Sequence, residues 1–396
     1  MQKTFKKTLV SAVAATLIAG AAHADVKIGL IMGFTGPLES LAPPIADSAE
    51  MAFAEASNSG NFLGGENIVT VRGDGTCVDA AAGTAVATRQ VNSDGVAAIF
   101  GAMCSGTSMA IAKNVGAPNG VAMISPSATS PTLADMDDNG IFYRTAATDA
   151  RQGVVLAEIV KGRGIDNIGI TYTNNDYGKG IADAFAAAFK NLGGTVVIEV
   201  SHEEGKADYT AEVATLSASG AEEVAVLGYA DGGGREIMQT AIDTGAFDRF
   251  ILADGMIGEG LLSIDGGIEG SFGTKPGSLS EGAQLFKTIA ADNGVNGGSV
   301  YADTGYDAGA ILALAIQAAG STDRADIVAN IANVANAPGE VILPGQLAKG
   351  LEILANGGQV NYEGASAVEF DANGDNNGSY LEQEVNSGQF ETVKEH

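Results

Sequence analysis

From Val26 onward the chain alternates continuous apolar runs with amphipathic stretches, and the alternation predicts strands and helices in turn. Val26 to Met32 (VKIGLIM) is apolar almost throughout, the pattern of a strand covered on both faces of a parallel sheet. Gly33 to Pro37 reads as a turn, and a helix is predicted over Ile45 to Ser57, closed by Gly60. The series continues with a strand at Ile68 to Arg72, a helix at Asp79 to Val91 and a strand at Val96 to Phe100. A helix at Thr107 to Val115 and a strand at Val121 to Ile124 complete it. Such regular alternation implies right-handed crossovers on a parallel sheet.

Around Phe142 to Asp149 the composition turns polar, and a second series begins. It predicts a helix at Gln152 to Lys161, a strand at Asn167 to Thr173, a helix at Lys179 to Leu192 and a strand at Thr195 to Val200. A helix at Tyr209 to Ser217, a strand at Glu223 to Gly228, a helix at Arg235 to Thr244 and a strand at Phe250 to Ala253 follow. Two doubly wound units in tandem predict an α/β protein of two lobes. Three further helices, Gly282 to Asp292, Tyr301 to Ala319 and Asp323 to Ala335, lack intervening strands and are expected to pack back on an existing lobe. The end reads as two strands, Ala367 to Phe370 and Ser379 to Val385, joined by a polar turn.

The first 24 residues stand apart from this pattern. Lys3, Lys6 and Lys7 precede an apolar run from Leu9 to Ala22, and Ala22-His23-Ala24 precedes Asp25. Basic, apolar and small residues in that order are the signature of a secretory signal peptide, expected over 1–24 and cleaved after Ala24. The remaining chain is long enough for two or three domains with substantial cores. Ala308 to Ala319, its most apolar stretch, is too short to span a bilayer and reads as a buried helix.

Charge narrows the partners. With 48 acidic and 21 basic residues the chain carries a net charge of −27. That surface repels phosphate backbones and anionic lipids, so neither nucleic acid nor a membrane surface is expected as a partner. Cys77 and Cys104 are the only cysteines. An even pair in an exported chain is expected to form one disulfide, which would stabilise the fold by about 3.5 kcal/mol through loop closure.

The candidate chemistry lies between Ile99 and Pro131. Two strands there are each followed by small hydroxyl residues: Ser105, Gly106, Thr107 and Ser108 after the first, Ser125, Ser127, Thr129 and Ser130 after the second. Loops at the carboxyl ends of parallel strands line the ligand crevice of an open α/β sheet, and small residues leave backbone N–H groups bare for an anion. Two such loops side by side could grip a carboxylate. Taken singly, each cluster also reads as a helix cap or turn.

Other chemistry finds little support. His202 lies in a charged segment, SHEEGKADY, that reads as exposed, and no nucleophile elbow or phosphate-binding glycine motif occurs. An enzyme is therefore not expected, nor is any cofactor or metal. Asp371 to Glu382 places Asp371, Asn373, Asp375 and Glu382 at calcium-loop positions, but Asn376 stands where such a loop needs glycine, and a turn explains the same residues. Gly232-Gly233-Gly234 before Arg235 could cradle an anion at a helix start or form a flexible loop at a cleft mouth.

Several stretches together resemble the type I periplasmic solute-binding proteins of branched-chain amino acid (leucine/isoleucine/valine) ABC importers. They are Ile28 to Pro37, the Cys77 loop, Gly101 to Ser105, Ile124 to Pro131, Asn175 to Gly180 and Phe370 to Asp375. The resemblance covers nearly the whole chain after the signal peptide. It implies the type I periplasmic binding protein fold, two doubly wound parallel-sheet lobes joined by a three-strand hinge. The chain would cross between lobes near Thr145 to Asp149, Gly273 to Pro276 and Asp375 to Tyr380. The implied domains are 25–146 plus 275–376 for the N-terminal lobe and 147–274 plus 377–396 for the C-terminal lobe.

Site roles follow from the same resemblance. Ser105 and Thr129, with backbone N–H groups around Ala128, would bind a ligand α-carboxylate; the Ser127 carbonyl and the Thr129 hydroxyl would accept from its ammonium. Asp254 would be the acidic partner of that ammonium, Tyr177 and Tyr229 would close over the ligand, and Tyr301 would wall the side-chain pocket. Cys77 and Cys104 match the family disulfide. Where leucine binders of the family carry a tyrosine after the first Gly-Pro, this chain has Leu41. The expected function is capture of a small, aliphatic amino acid in the periplasm by hinge closure and its delivery, by a monomer, to an inner-membrane ABC permease. The alternative on the same fold is a binder of an amide, urea or other small carboxylate.

Overall fold

The structure, a computed structural model, describes residues 25–396, so the signal peptide expected over 1–24 lies outside the described residues. The first series of elements comprises β1 (Val26–Met32), α1 (Ala42–Asn58), β2 (Ile68–Asp74), α2 (Ala80–Arg89) and β3 (Ala98–Gly101). It goes on through α3 (Ser105–Ile111), α4 (Ala117–Asn119), β4 (Met123–Ser125) and β5 (Phe142–Ala147). After α5 (Asp149–Gly162) the second series runs β6 (Asn167–Thr173), α6 (Asp176–Asn191), β7 (Thr195–His202), α7 (Thr210–Ser217) and β8 (Glu223–Leu227). It ends with α8 (Gly233–Thr244), β9 (Phe250–Leu252) and β10 (Phe272–Pro276). The remainder is α9 (Glu281–Asp292), α10 (Ala302–Ala319), α11 (Arg324–Ala335), β11 (Glu340–Ile342), α12 (Leu347–Ala355) and β12 (Val360–Tyr362). The chain closes with β13 (Asp375–Asn376), β14 (Tyr380–Asn386) and β15 (Gln389–Glu395).

Two large sheets carry the two lobes. The first has the order β13-β5-β4-β3-β1-β2 and is parallel throughout. The second has the order β15-β14-β10-β9-β8-β6-β7, parallel except where β14 runs against β10 and β15. In each sheet the order reverses beside one strand, β1 in the first and β6 in the second, and a crevice opens at that reversal beyond the strands' carboxyl ends. α10, the apolar helix that lacks its own strand, is buried along nearly its whole length and packs on α1 in the first lobe.

The chain passes between the lobes after β5, after β10 and after β13, and the crossings are bonded to one another. Gln152 Nε2 donates to the carbonyl and the hydroxyl of Thr274, both at 3.1 Å, tying the first crossing to the second. Tyr380 donates its hydroxyl to the Thr148 carbonyl at 2.9 Å, tying the third to the first.

Two expectations are corrected, the strand at Ala367 to Phe370 and the exposure of His202. The polar stretch from Phe142 begins with strand β5, whose one charged residue, Arg144, is wholly buried against Asp375. The strand expected at Ala367 to Phe370 does not form: Phe370 makes only a single bridge to Asn376, and Asp375–Asn376 instead pairs parallel to β5. Arg144 draws Asp375 there, and Asn376 Nδ2 donates to the Thr145 carbonyl at 2.8 Å. The same bonds consume the oxygens a calcium loop would need, since Asp375 binds Arg144 and Glu382 binds Arg163 and His396. The anion cradle at Gly232 to Gly234 is likewise occupied internally, the Gly233 N–H donating to Glu204 Oε2 at 2.7 Å.

His202 is buried, not exposed, because β7 carries it under the lobe beside Thr171, whose hydroxyl lies 2.9 Å from Nδ1. Burial without a proton acceptor on Nε2 pushes its pKa down to about 4. The unfolded chain therefore binds the proton first, and acid costs stability progressively from about pH 6.5 down to about 4, by up to roughly 3 kcal/mol. Urea unfolding of wild type and His202→Asn across that window checks this: the variant should lose less stability on acidification, and identical pH profiles would refute it.

Candidate functional site

The loops beyond β3 and β4 are built as one unit. Ser125 and Ser108 both donate to the Ala102 carbonyl, at 2.6 and 2.9 Å, and Ser127 donates to the Met103 carbonyl at 2.9 Å. Ser105 Oγ accepts from the Ser130 N–H at 3.1 Å, which leaves its own hydrogen free to donate outward. A disulfide joins Cys104 to Cys77 and ties these loops to the end of β2. Most hydroxyls in the two clusters thus hold the loops together, which is the capping and turn role, while Ser105 keeps a donor to spare.

The second lobe brings an acid and two phenols. Asp254 follows β9 and is buried. Tyr177, in the first turn of α6, donates to Asp254 Oδ1 at 3.1 Å and accepts from the Gly255 N–H at 3.2 Å. A side chain at Gly255 would sit 2.9 Å from that phenol oxygen, so only glycine permits the approach. Asn175 caps α6 through the Gly178 N–H and also donates to the Tyr229 hydroxyl at 3.0 Å. Tyr229 is thereby held in a stack on Tyr177, their centroids 5.4 Å apart.

Contacts across the cleft come from both sides. Tyr301, just before α10 in the first lobe, donates its hydroxyl to Asp254 Oδ2. The Ser40 N–H donates to Asp231 Oδ2 at 2.9 Å, and Gly106 lies so close to Asp176 that a Cβ there would be 2.7 Å from its carboxylate. Between the lobes remains a cavity of about 20 Å³, room for about one water molecule. Ser105, Ser127, Tyr177, Tyr229, Asp254 and Tyr301 line it together with Leu38, Leu41 and Met103.

Thr129 and Ala128 lie outside that lining, both fully buried one layer deeper. Ala128 gives its N–H to Ser125 Oγ and its carbonyl to Arg144. Thr129 Oγ1 has no hydrogen-bond partner. Tyr301, expected as an aromatic of the side-chain pocket, lines the cavity and has its hydroxyl on Asp254. Sequence reasoning passed over Arg144, Asp149 and Gln152, which sit in the stretch taken as a boundary. Their signal was the strand-to-helix step there, with an acid and an amide three residues apart on the first turn of α5.

Electrostatically the site is acidic and buried. Burial raises the pKa of Asp254, and the hydrogen bonds donated by Tyr301 and Tyr177, with the Gln152 amide nearby, oppose that rise. Burial also holds the Tyr177 and Tyr301 phenols far above their usual pKa, Asp254 adding to the effect, so both stay protonated donors. Their two hydrogen bonds leave other lone pairs of the Asp254 carboxylate open to a cationic donor. A carboxylate on one lobe facing a free hydroxyl donor on the other can hold the two ends of a small dipolar molecule.

Two doubly wound lobes with a polar, enclosed cleft at their facing strand ends define a solute-binding clamp. The chain belongs to the periplasmic binding protein family, whose model matches residues 25–360. It is a binding protein, not an enzyme. A Leu/Ile/Val-binding protein homolog 1 from Brucella abortus is 32% identical over 332 residues, covering 81% of this chain and 87% of that protein. Among solved structures, the leucine binding protein LivK of Thermotoga maritima superposes with a TM-score of 0.79 at 24% identity, covering 93% of this chain and 98% of that one. The branched-chain amino acid transporter substrate binding protein LivJ of Streptococcus pneumoniae, in complex with isoleucine, gives 0.77 at 22% identity, covering 93% and 99%. Among the described residues no helix is long and apolar enough to cross a membrane.

Proposed function

We propose that this protein is the substrate-binding component of an ABC importer, capturing a small aliphatic amino acid in the periplasm and delivering it as a monomer to an inner-membrane permease. The observation that carries this reading is Asp254, a buried carboxylate in one lobe opposed across the cleft by the free donor of Ser105 in the other. An amino acid brought out of water needs both charges paired, because an unpaired buried charge is costly. Its ammonium belongs on Asp254 and the Ser127 carbonyl, its carboxylate on Ser105 and the Thr129 N–H, with Tyr177 and Tyr229 against its body. The name of the Brucella relative and the isoleucine in the pneumococcal protein favour a branched aliphatic side chain, and Leu38, Leu41 and Met103 offer an apolar wall for one.

The clamp is complete only when both lobes contribute, so ligand contacts drive closure. A cavity of about 20 Å³ admits no amino acid, and entry requires the lobes to part. In this reading the N-terminal lobe is 25–146 plus 275–376 and the C-terminal lobe 147–274 plus 377–396. Membership of β13 in the first sheet and of β14 in the second supports the last boundary. Residues 1–24 would be removed on export.

The test is a thermal-shift screen of the protein against amino acids, amides, urea and small carboxylates, since a ligand of the folded state raises the unfolding temperature. L-leucine, L-isoleucine or L-valine should give the largest shifts. A shift with an amide, urea or aromatic acid and none with an amino acid would overturn the assignment. Ser105→Ala should weaken calorimetric affinity by about 10- to 100-fold, the worth of one hydrogen bond to a charged group.

A further inference from the structure

Asp149 opens α5 immediately after the first crossing between the lobes, and it is completely buried. Neither of its carboxylate oxygens has a hydrogen-bond partner. Its N–H donates to the Thr129 carbonyl at 2.9 Å, which fixes it beside the ligand loop. Thr129 Oγ1 lies close enough to favour the ionised acid yet falls short of a hydrogen bond, and Gln152 Oε1, one turn along α5, is also unpartnered. Three buried polar groups with unused capacity therefore lie at the start of α5 and on the loop bonded to it, and the acid whose charge acts on Asp149 is Asp254.

Among the described residues, Arg144 is the cation that acts on Asp149, while Arg151, two residues along α5, is exposed and acts on Tyr380. The groups that act on Asp149 are Asp254 and Tyr177 of its own lobe, Arg144 from β5, Tyr301 across the cleft, and Tyr380 from the third crossing. Arg144 is already held by both oxygens of Asp375. Burial comes first and the charge of Asp254 second in pushing the Asp149 carboxyl well above its usual range. A buried carboxylate that feels the charge of a second buried carboxylate resists ionising, and the two titrate as a pair.

We infer that Asp149 and Asp254 share one proton in the ligand-free protein and that arrival of a ligand ammonium between Asp254 and Thr129 expels it. The step balances simply: one cationic group enters, one proton leaves to the buffer, and two carboxylates remain against one ammonium and the phenol donors. Thr129 then has a defined task, its hydroxyl donating to ionised Asp149 and turning a lone pair toward the ammonium. Asp149 is a positioning residue that acts through Thr129. The proton-coupled binding step rests on the amino acid assignment above, whereas the shared proton does not.

Two measurements separate these claims. Infrared difference spectra of ligand-free wild type minus Asp149→Asn at neutral pH should contain the carbonyl band of a protonated carboxylic acid. Its absence would overturn the shared proton, whatever ligand the protein takes. Calorimetry with L-leucine in phosphate and in Tris, buffers of different ionisation enthalpy, should show close to one proton released per molecule bound, with affinity rising tenfold per pH unit while the pair holds its proton. Asp149→Asn should bind about 10- to 100-fold more weakly and release none. Equal proton release by wild type and variant would remove Asp149 from the site. If no amino acid binds but the infrared band is present, the amino acid assignment fails and the shared proton stands. Asp149→Ser, which leaves room for water, serves for both measurements should the Asn variant not fold.

Discussion

Asp254→Asn is expected to lower the affinity for an aliphatic amino acid by more than about 100-fold while leaving the ligand-free protein at least as stable as wild type. The loss follows from removing the only carboxylate that lines the cavity, leaving an ammonium desolvated against neutral oxygens. Breaking a buried pair by removing one partner costs about 3 to 5 kcal/mol, which is more than two decades in Kd. The stability effect has the opposite sign. Burial raises the pKa of Asp254 above its unfolded value, so its ionised form is a burden on the fold that is absent in acid and grows as pH rises through the shifted pKa. Asn keeps acceptor capacity for Tyr177 and Tyr301 without the charge. Thermal unfolding with and without leucine reads both effects at once: the ligand-free midpoint should hold or rise, and the ligand-induced shift should vanish. A variant that keeps a wild-type shift would remove Asp254 from ammonium recognition.

That opposition explains why the acid was legible in the sequence and its neighbours were not. The apolar run ending at Ala253 predicts a strand, but the roles of Asp254 just past it and of Tyr177 come from the family resemblance; topology by itself points to the hydroxyl cluster after β3 that contains Ser105. It works because strand and helix periodicities are local properties of the chain. Arg144, Asp149 and Gln152 depend instead on what meets them. Arg144 lies in a strand only because Asp375, 231 residues later, neutralises it. His202 reads as surface by its acidic neighbours, yet alternation along β7 turns it inward while Glu203 faces out. Residues placed by distant partners are invisible to a pattern that spans a dozen positions, and the polar stretch at Phe142 to Asp149 contains several of them.

The hydroxyl loops show the same division. Their composition pointed both to capping and to anion binding, and in the structure some of their hydroxyls are bonded within the loops while others keep unused capacity. Ser108, Ser125 and Ser127 spend their hydrogens on the Ala102 and Met103 carbonyls, making a rigid platform. Ser105 and Thr129 keep unused capacity because the platform already supports them. Rigid support with a few open donors lowers the ordering cost of binding. The site thus depends on residues that need never touch a ligand.

Arg144 is the clearest of these, and Asp375→Ala is expected to destabilise the protein by about 3 to 5 kcal/mol, a large part of the 5 to 15 kcal/mol typical of a folded domain. Arg144 is fully buried and grips Asp375 with two bonds, of 2.6 and 2.9 Å. Its remaining amine donates to the carbonyls of Ala128 and Ser130, at 3.1 and 2.8 Å, on either side of Thr129. One side chain thereby joins β5, the third crossing and the second ligand loop. Removing Asp375 strands a guanidinium in the core, and denaturant unfolding should show the loss directly. Stability and positioning can then be separated with the double replacement Arg144→Met with Asp375→Leu. Apolar residues of similar size remove both charges together, so much of the stability should return. Affinity should not return, because the Ala128 and Ser130 carbonyls lose their donor and the Thr129 loop its fixed position. A double variant with restored stability and wild-type affinity would show that the pair only fills the core; restored stability with affinity still about tenfold or more below wild type identifies Arg144 as the clamp on the ligand loop.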